Sequence, residues 1–298
     1  IMIGYRNMYS STAAVTQNFI IGHGNMYSTD AAMTYNSVMG YQNAYNATDA
    51  DYCTLMGYRN AYNADNLDYA MLFGRENGYT SSSISYSTMM GYANAKNATS
   101  TIIDAVLFGR QNAMNGYDIQ YSILSGMDNA KESQYIRNSA VFGRENAKNA
   151  TQFQNSFASG YQNLYTTATD VNYTIAIGYE NGKRPTVALN NSILLGYRQG
   201  YNIGSEGAAA YRLAIGMFAD NPLIYGEFDN EVVKINGSLT LEDRTGGTAA
   251  KSAFFDSTGQ LVEGDLEEFA ITIAASDETS DLTVGQNKVT FRMPYAMT

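Results

Sequence analysis

The stretch Asn36-Ser37-Val38-Met39-Gly40-Tyr41-Gln42-Asn43-Ala44 decides the fold, because its pattern returns along most of the chain. A short apolar run precedes a glycine, and asparagine follows three positions later. The anchor glycines are Gly4, Gly22, Gly40, Gly57, Gly74, Gly91, Gly109, Gly126, Gly143, Gly160, Gly178, Gly196 and Gly216, spaced by 17 or 18 residues until a last step of 20. The partner residues are Asn7, Asn25, Asn43, Asn60, Asn77, Asn94, Asn112, Asn129, Asn146, Asn163 and Asn181, after which the pattern lapses to Gln199 and Ala219. The last two copies read as a degenerating end cap.

Runs such as Phe19-Ile20-Ile21 and Val106-Leu107-Phe108 are strand-length. A period of about 17 residues is too short for two helices and suits two or three short strands joined by turns, one coil of a solenoid. The expected fold is all-β: a parallel β-solenoid, or β-roll, of about 13 coils. With coils ~4.8 Å apart it makes a rod about 60 Å long. Glycine recurs where the chain needs positive φ or backbones approach closely. Stacked asparagines would form a ladder of amides, donating and accepting along the axis.

The register also produces two aromatic columns. One directly follows the glycine, at Tyr5, Tyr41, Tyr58, Tyr92, Tyr161, Tyr179 and Tyr197, and the other lies five residues before it, at Tyr35, Tyr52, Tyr69, Tyr86, Tyr121, Tyr173 and Tyr211. In alternate coils Arg75, Arg110 and Arg144 replace the first tyrosine. Alternation avoids arginine repulsion at strand spacing and puts Arg75 between Tyr58 and Tyr92, where its guanidinium can stack. Phe73, Phe108 and Phe142 share that strand face. Between motifs, Asn46-Ala47-Thr48-Asp49-Ala50-Asp51 and Thr80-Ser81-Ser82-Ser83 read as the solvated side of each coil.

Composition narrows the function. The 298 residues are 45% apolar but only 15% charged, with 25 Tyr, 27 Gly, 3 Pro and no Trp, as polar ladders would require. The net charge of -10 disfavours a nucleic-acid partner, which needs clustered Lys and Arg. No apolar run approaches the ~20 residues of a membrane helix, so no membrane insertion is expected. Cys53 stands alone, excludes an intrachain disulfide and reads as a small buried filler. His23 has no second histidine for a metal site or triad. Asp49 and Asp51 lack the further oxygen ligands that calcium demands. No cofactor or metal is implied, and scattered carboxylates give no catalytic cleft, so an enzyme is not expected.

Up to Asp220 there are 15 acidic and 13 basic residues, whereas from Asn221 onward there are 13 against 5. The expected division is a repeat solenoid at 1–220, a β connector with a hairpin at 221–265, and the start of a C-terminal β tip domain at 266–298. Within the connector, Leu223 to Phe228, Val232 to Ile235 and Ser238 to Leu241 read as strands, and Lys251 to Glu263 as a hairpin around Asp256-Ser257-Thr258-Gly259. Three strands beyond Leu266 are too few to close a sandwich, so the chain reads as a fragment of a longer protein.

The repeat, in Asn36 to Ala44 and in Thr174-Ile175-Ala176-Ile177-Gly178-Tyr179, resembles the alanine-isoleucine-glycine-tyrosine repeats of bacteriophage tail fibres. It is also similar to the head repeats of trimeric autotransporter adhesins, which use a shorter coil. The resemblance covers about Ile1 to Phe218, and Phe291-Arg292-Met293-Pro294-Tyr295 resembles the start of a tip domain. It implies an elongated homotrimer on a virion, partnered by other tail or fibre proteins and by a host cell-surface glycan or protein receptor. The alternative is a bacterial trimeric surface adhesin at the cell surface. A polysaccharide-degrading tailspike is the weaker enzyme reading. Exposed Tyr and Asn could bind glycans but serve equally as stacking ladders, and the receptor-binding residues are unknown from sequence.

Overall fold

A computed structural model describes residues 1–237, apart from short segments of which 201–210 is the longest, together with 252–255 and 261–264. Among the described residues every regular element is a β-strand. The chain divides into two units, Ile1–Leu239 and Thr240–Thr298.

The first unit is a parallel β-solenoid. The first glycine motif forms the four-residue strand Met2–Tyr5 and each later one a five-residue strand such as Ser37–Tyr41, Thr54–Tyr58 and Met71–Arg75. These strands build one fifteen-stranded sheet, parallel except for its last two members. Register is residue for residue, glycine opposite glycine, as in Gly40↔Gly57 and Gly57↔Gly74. A second sheet face comes from two- and three-residue strands, including Asp49–Asp51, Asn66–Asp68 and Ser83–Ser85, continued through single bridges at Gln120 and Arg137. About eleven turns carry both faces, against the thirteen copies of the motif. The opposite face of the last interval falls at 201–210, outside the described residues, and after the Gly216 copy the pairing turns antiparallel.

The second face corrects one expectation. Segments such as Asn46 to Asp51 and Thr80 to Ser83 are not simply the solvated side. Ala50, Leu67, Ile84, Ile102 and Ile119 are fully buried, and Ala50, Leu67 and Ile84 are each the central residue of a three-residue strand with half-buried polar residues on both sides. One apolar residue in three is too sparse to register as a strand in sequence, yet strand alternation needs no more.

The core is narrow. It takes one residue per coil from the glycine sheet (Val38, Leu55, Leu72, Met89, Leu107, Leu124), one from the second face, and one from a corner (Ala44, Ala61, Ala95, Ala113, Ala130, Ala147). The corner alanines sit in left-handed backbone, Ala44 at φ 50° and Ala61 at φ 52°. Such a conformation costs roughly 1–2 kcal/mol in a non-glycine residue. Here it is held by inter-coil bonds, for example Ala61 N–H to the Asn77 carbonyl at 2.8 Å.

The anchor glycine is compulsory for two reasons. At Gly57, φ is +128°, and a Cβ there would lie 1.9 Å from the Gly74 carbonyl oxygen, far inside contact distance. No side chain fits.

Beyond Gly216, Ile224–Glu227 pairs antiparallel with Arg212–Gly216, and Val232–Ile235 pairs antiparallel with Ile224–Glu227. The parallel stack thus ends in an antiparallel pair of strands. In the second unit, Ser252–Phe255 and Leu261–Gly264 form an antiparallel pair with Phe254 opposite Val262. The expected strand at Ser238–Leu241, the Asp256–Gly259 turn and the segment 266–298 lie outside the described residues.

Candidate functional site: the side-chain ladders

Two ladders run inside the coils. In the first, Asn43, Asn60, Asn77, Asn94, Asn112, Asn129, Asn146 and Asn163 are all fully buried. Asn94 shows the pattern: its Nδ2 donates to the Met90 carbonyl at 3.0 Å and to the Gly109 carbonyl of the next coil at 3.1 Å, while its backbone N–H donates to Asn77 Oδ1 at 3.2 Å. Each amide therefore closes its own strand end and binds both neighbours, which a buried polar group must do to avoid a desolvation penalty. At the end, Gln199 reaches the Tyr197 and Phe218 carbonyls, both at 2.9 Å.

The second internal ladder is the column of Cys53, a repeat position shared with Asn, Ser, Ala and Thr in other coils, whose hydrogen bonding the sequence does not reveal. Four residues before each glycine stand Asn18, Asn36, Cys53, Ala70, Ser87, Ala105, Ser122, Ser139, Ser156, Thr174 and Ser192. Asn36 Nδ2 donates to the Ala50 carbonyl at 2.6 Å and its Oδ1 accepts from Cys53 N–H at 2.8 Å. Ser122 Oγ lies 2.7 Å from the Gln120 carbonyl and 3.0 Å from the Ile136 carbonyl, so that its one proton links the strand end to the second face. Cys53 Sγ lies 3.2 Å from the Asp51 carbonyl, and burial pushes its thiol up to about 12. The signal was a position restricted to small, mostly polar residues.

Outside, the column after the glycine stacks rings and guanidinium groups on either side of one interruption at Met127. Tyr41 and Tyr58 lie 5.3 Å apart at 6°, and His23 stacks on Tyr41 at 5.1 Å and 9°. The Arg75 guanidinium lies 5.3 Å from the Tyr58 ring and 5.5 Å from the Tyr92 ring. Arg110 faces Tyr92 at 5.9 Å and Arg144 faces Tyr161 at 5.7 Å. Met127 separates these two arginines, opposite Arg110 on one side and Arg144 on the other. In the column five residues before the glycine, Tyr35, Tyr52, Tyr69 and Tyr86 stack at 4.7–4.9 Å with ring planes within 10°.

A third aromatic column escaped the sequence reading. Tyr9, Tyr27, Tyr45, Tyr62 and Tyr79, five residues after the glycine, stack at 4.7–5.3 Å. From the next coil onward this corner changes, because Lys96, Lys131, Lys148 and Lys183 share it with Met114 and Tyr165. Lys96 Nζ reaches Glu76 at 2.6 Å, Lys131 reaches Asp128 at 3.1 Å, Lys148 reaches Glu145 at 3.5 Å, and Lys183 pairs with Glu180. Burial pushes the carboxyls of Glu76 and Glu180 upward, but hydrogen bonds from Lys96 and Arg75, and from Lys183 and Arg198, outweigh it and hold both below the usual range.

On the second face, Asp51 stands opposite Asp68, and Asp51 Oδ1 accepts from the Thr34 N–H and hydroxyl, both at 2.7 Å. Partial burial, with Asp51 as a charged neighbour, raises the carboxyls of Asp49 and Asp68. Among the described residues no three His, Cys, Asp or Glu side chains are placed to hold a metal.

The outer face of the glycine sheet is mainly apolar, with Ser125 and Ser159 interrupting it. Met39, Met56, Met90, Phe108 and Ile177, each directly before its glycine, are 37–45% exposed, and Ile123, Met71 and Ile175 flank them two residues earlier on the strand. No protein-family model matches the chain, and neither a curated protein nor a solved structure matches it.

Proposed function

We propose that this chain is a structural fibre of a phage tail or a related virion appendage, a rigid spacer and host-attachment element that assembles as a homotrimer. The observation that carries this reading is the apolar outer face of the glycine sheet, repeated coil after coil on a lattice cross-linked by internal ladders. Exposed Met, Phe and Ile recurring along one sheet face, interrupted only at Ser125 and Ser159 in the file directly before the glycines, are unusual on a surface that faces water alone and mark an interaction surface. Three copies packed on one another along the file directly before the glycines, Met39 to Ile177, would cover it and leave the edge at Ile123, Phe157 and Ile175 open. Rigidity follows from strands that hydrogen-bond to both neighbouring coils, and the tyrosine columns stiffen the outside. The role is mechanical and not catalytic, and the partners are a second and third copy, other fibre proteins, and a host glycan or protein.

Sedimentation or light scattering tests the assembly. A species of three times the 32.6 kDa chain mass is expected, and Met56→Lys with Met90→Lys dissociates it while the β-sheet circular dichroism persists. A monomeric wild-type chain overturns the reading.

A further inference from the structure

The column five residues before the glycine is continuous from Tyr35 to Tyr86 but broken further along. There Tyr121 is followed, coil by coil, by Asn138, Asn155 and Tyr173. Among the described residues neither Tyr121 nor Tyr173 stacks on another ring. In a continuous column ring faces are used up by the neighbours above and below. At this gap they are available, and Tyr121 and Tyr173 are 57% and 63% exposed. The two rungs are three coil steps apart, about 14 Å at strand spacing.

A groove of about 560 Å³ opens here, lined by Tyr121, Asn138 and Asn155 along the corner and by Phe157 and Ile175 on the adjoining strands. Its chemistry differs from the rest of the molecule in one respect. The asparagines of the internal ladders are buried and bonded, whereas Asn138 and Asn155 are exposed, and their side-chain amides make no hydrogen bond among the described residues. The left-handed corner, φ 49° and 48°, accounts for asparagine being tolerated there. It does not account for two free amides beside an unstacked ring.

We propose that this groove binds a neutral hexopyranose oligosaccharide. Every lining residue is uncharged, so an anionic or cationic ligand gains no ion pair. The ligand that fits has an apolar C–H face for the Tyr121 ring and hydroxyls that can both donate to and accept from the Asn138 and Asn155 amides. Pyranose rings combine both in one unit. A glycan laid along the axis meets ring, amide, amide and ring in turn. The proposal deepens the host-attachment reading and rests on it for its biological meaning.

The full chain is tested on a printed panel of neutral and anionic oligosaccharides, with its mass in solution measured in parallel. Wild type is expected to retain neutral hexose oligosaccharides. Tyr121→Ala and the pair Asn138→Ala with Asn155→Ala are each expected to weaken retention about tenfold or more. Tyr52→Ala, inside the continuous column, leaves it unchanged. Melting temperatures of all variants separate lost binding from lost folding. The proposal is overturned if no neutral sugar is retained, if anionic sugars alone are retained, or if Tyr121→Ala binds as wild type. It is also overturned if the groove variants change the oligomeric mass and not the binding, because the groove then belongs to the interface between copies. A trimer that retains no sugar sinks only the groove, and a monomer that retains sugar sinks only the fibre.

Discussion

The coils before Lys96 and those after it share one backbone lattice but solve the same corner in opposite ways. In the first half Tyr9, Tyr27, Tyr45, Tyr62 and Tyr79 stack, and Arg59 is caught between the Tyr58 and Tyr62 rings at 5.0 and 5.2 Å. In the second half lysines take four of the tyrosine places and pair with Glu76, Asp128, Glu145 and Glu180, which occupy the position two residues after the glycine, while Tyr165 remains between Lys148 and Lys183 at 5.2 and 5.6 Å. Stacking is insensitive to charge state, whereas ion pairs respond to pH and salt. The internal ladders are what permit the exchange. Because the glycine, asparagine and small-polar positions already fix coil to coil, the outer corner is free to be aromatic or ionic.

If the lattice is common to both halves, damage to it must be equally severe in each. Gly57→Ala and Gly126→Ala drive a Cβ to 1.9 and 1.8 Å from the next glycine carbonyl oxygen, at φ +128° and +124°. Each is expected to cost about 4 kcal/mol or more, read as soluble yield and denaturant midpoint. A mild effect in one half alone would break the comparison. Next in size, Asn60→Ala and Asn146→Ala strip partners from the Gly74 and Gly160 carbonyls respectively. Roughly 2–4 kcal/mol is expected in each case, measured by urea unfolding.

The contrast between inside and outside also explains what sequence made legible. Glycine and asparagine were readable because their roles admit one residue type: nothing else survives the 1.9 Å approach at Gly57, and nothing else donates twice while accepting from a buried corner as Asn94 does. The glycine strands followed from them. The second face was hidden because Ala50 or Leu67 is a single apolar residue among polar ones. The small-polar ladder was obscured because Ala70 and Ala105 interrupt it with no donor of their own. Five consecutive tyrosines were visible from Tyr9 to Tyr79, yet the replacement by lysine breaks the column before it spans the chain. The groove at Tyr121 was legible only as an irregularity.

Acid separates the halves with opposite signs. Glu76, Glu145 and Glu180 have folded-state pKa values below the ordinary carboxylate range, where partial burial is outweighed by their Lys, Arg and Gln partners. Their contribution is complete above the unfolded value near ~4.3 and is lost as pH falls through the lower folded value. Asp49 and Asp68 are raised, by burial first and neighbouring carboxylates second. Their penalty is present at neutral pH and relieved as pH falls through the raised value. Hydrogen exchange at about pH 3.5 against about pH 6 should show protection falling around Glu145 and Glu180 and holding or rising around Asp49 and Asp68. Equal change in both regions would remove the distinction.

The smallest expected effect probes the seam between the two regimes. Arg75 belongs to both: its guanidinium stacks between Tyr58 and Tyr92, and its Nε lies 3.2 Å from Glu76 Oε1, the carboxylate that also receives Lys96. Arg75→Glu removes two ring contacts and sets a second negative charge beside Glu76. A loss of about 1 kcal/mol is expected, more than an exposed charge reversal away from partners. Arg75→Tyr separates the contributions, since it restores stacking while still withdrawing the cation from Glu76. If stacking dominates, the tyrosine variant melts with wild type and the glutamate variant below it, placing Arg75 with the aromatic half. If both variants melt together below wild type, the ion pair dominates and the boundary between the regimes moves one coil toward the N-terminus. An unchanged melting temperature for Arg75→Glu would mean that neither contact holds the corner.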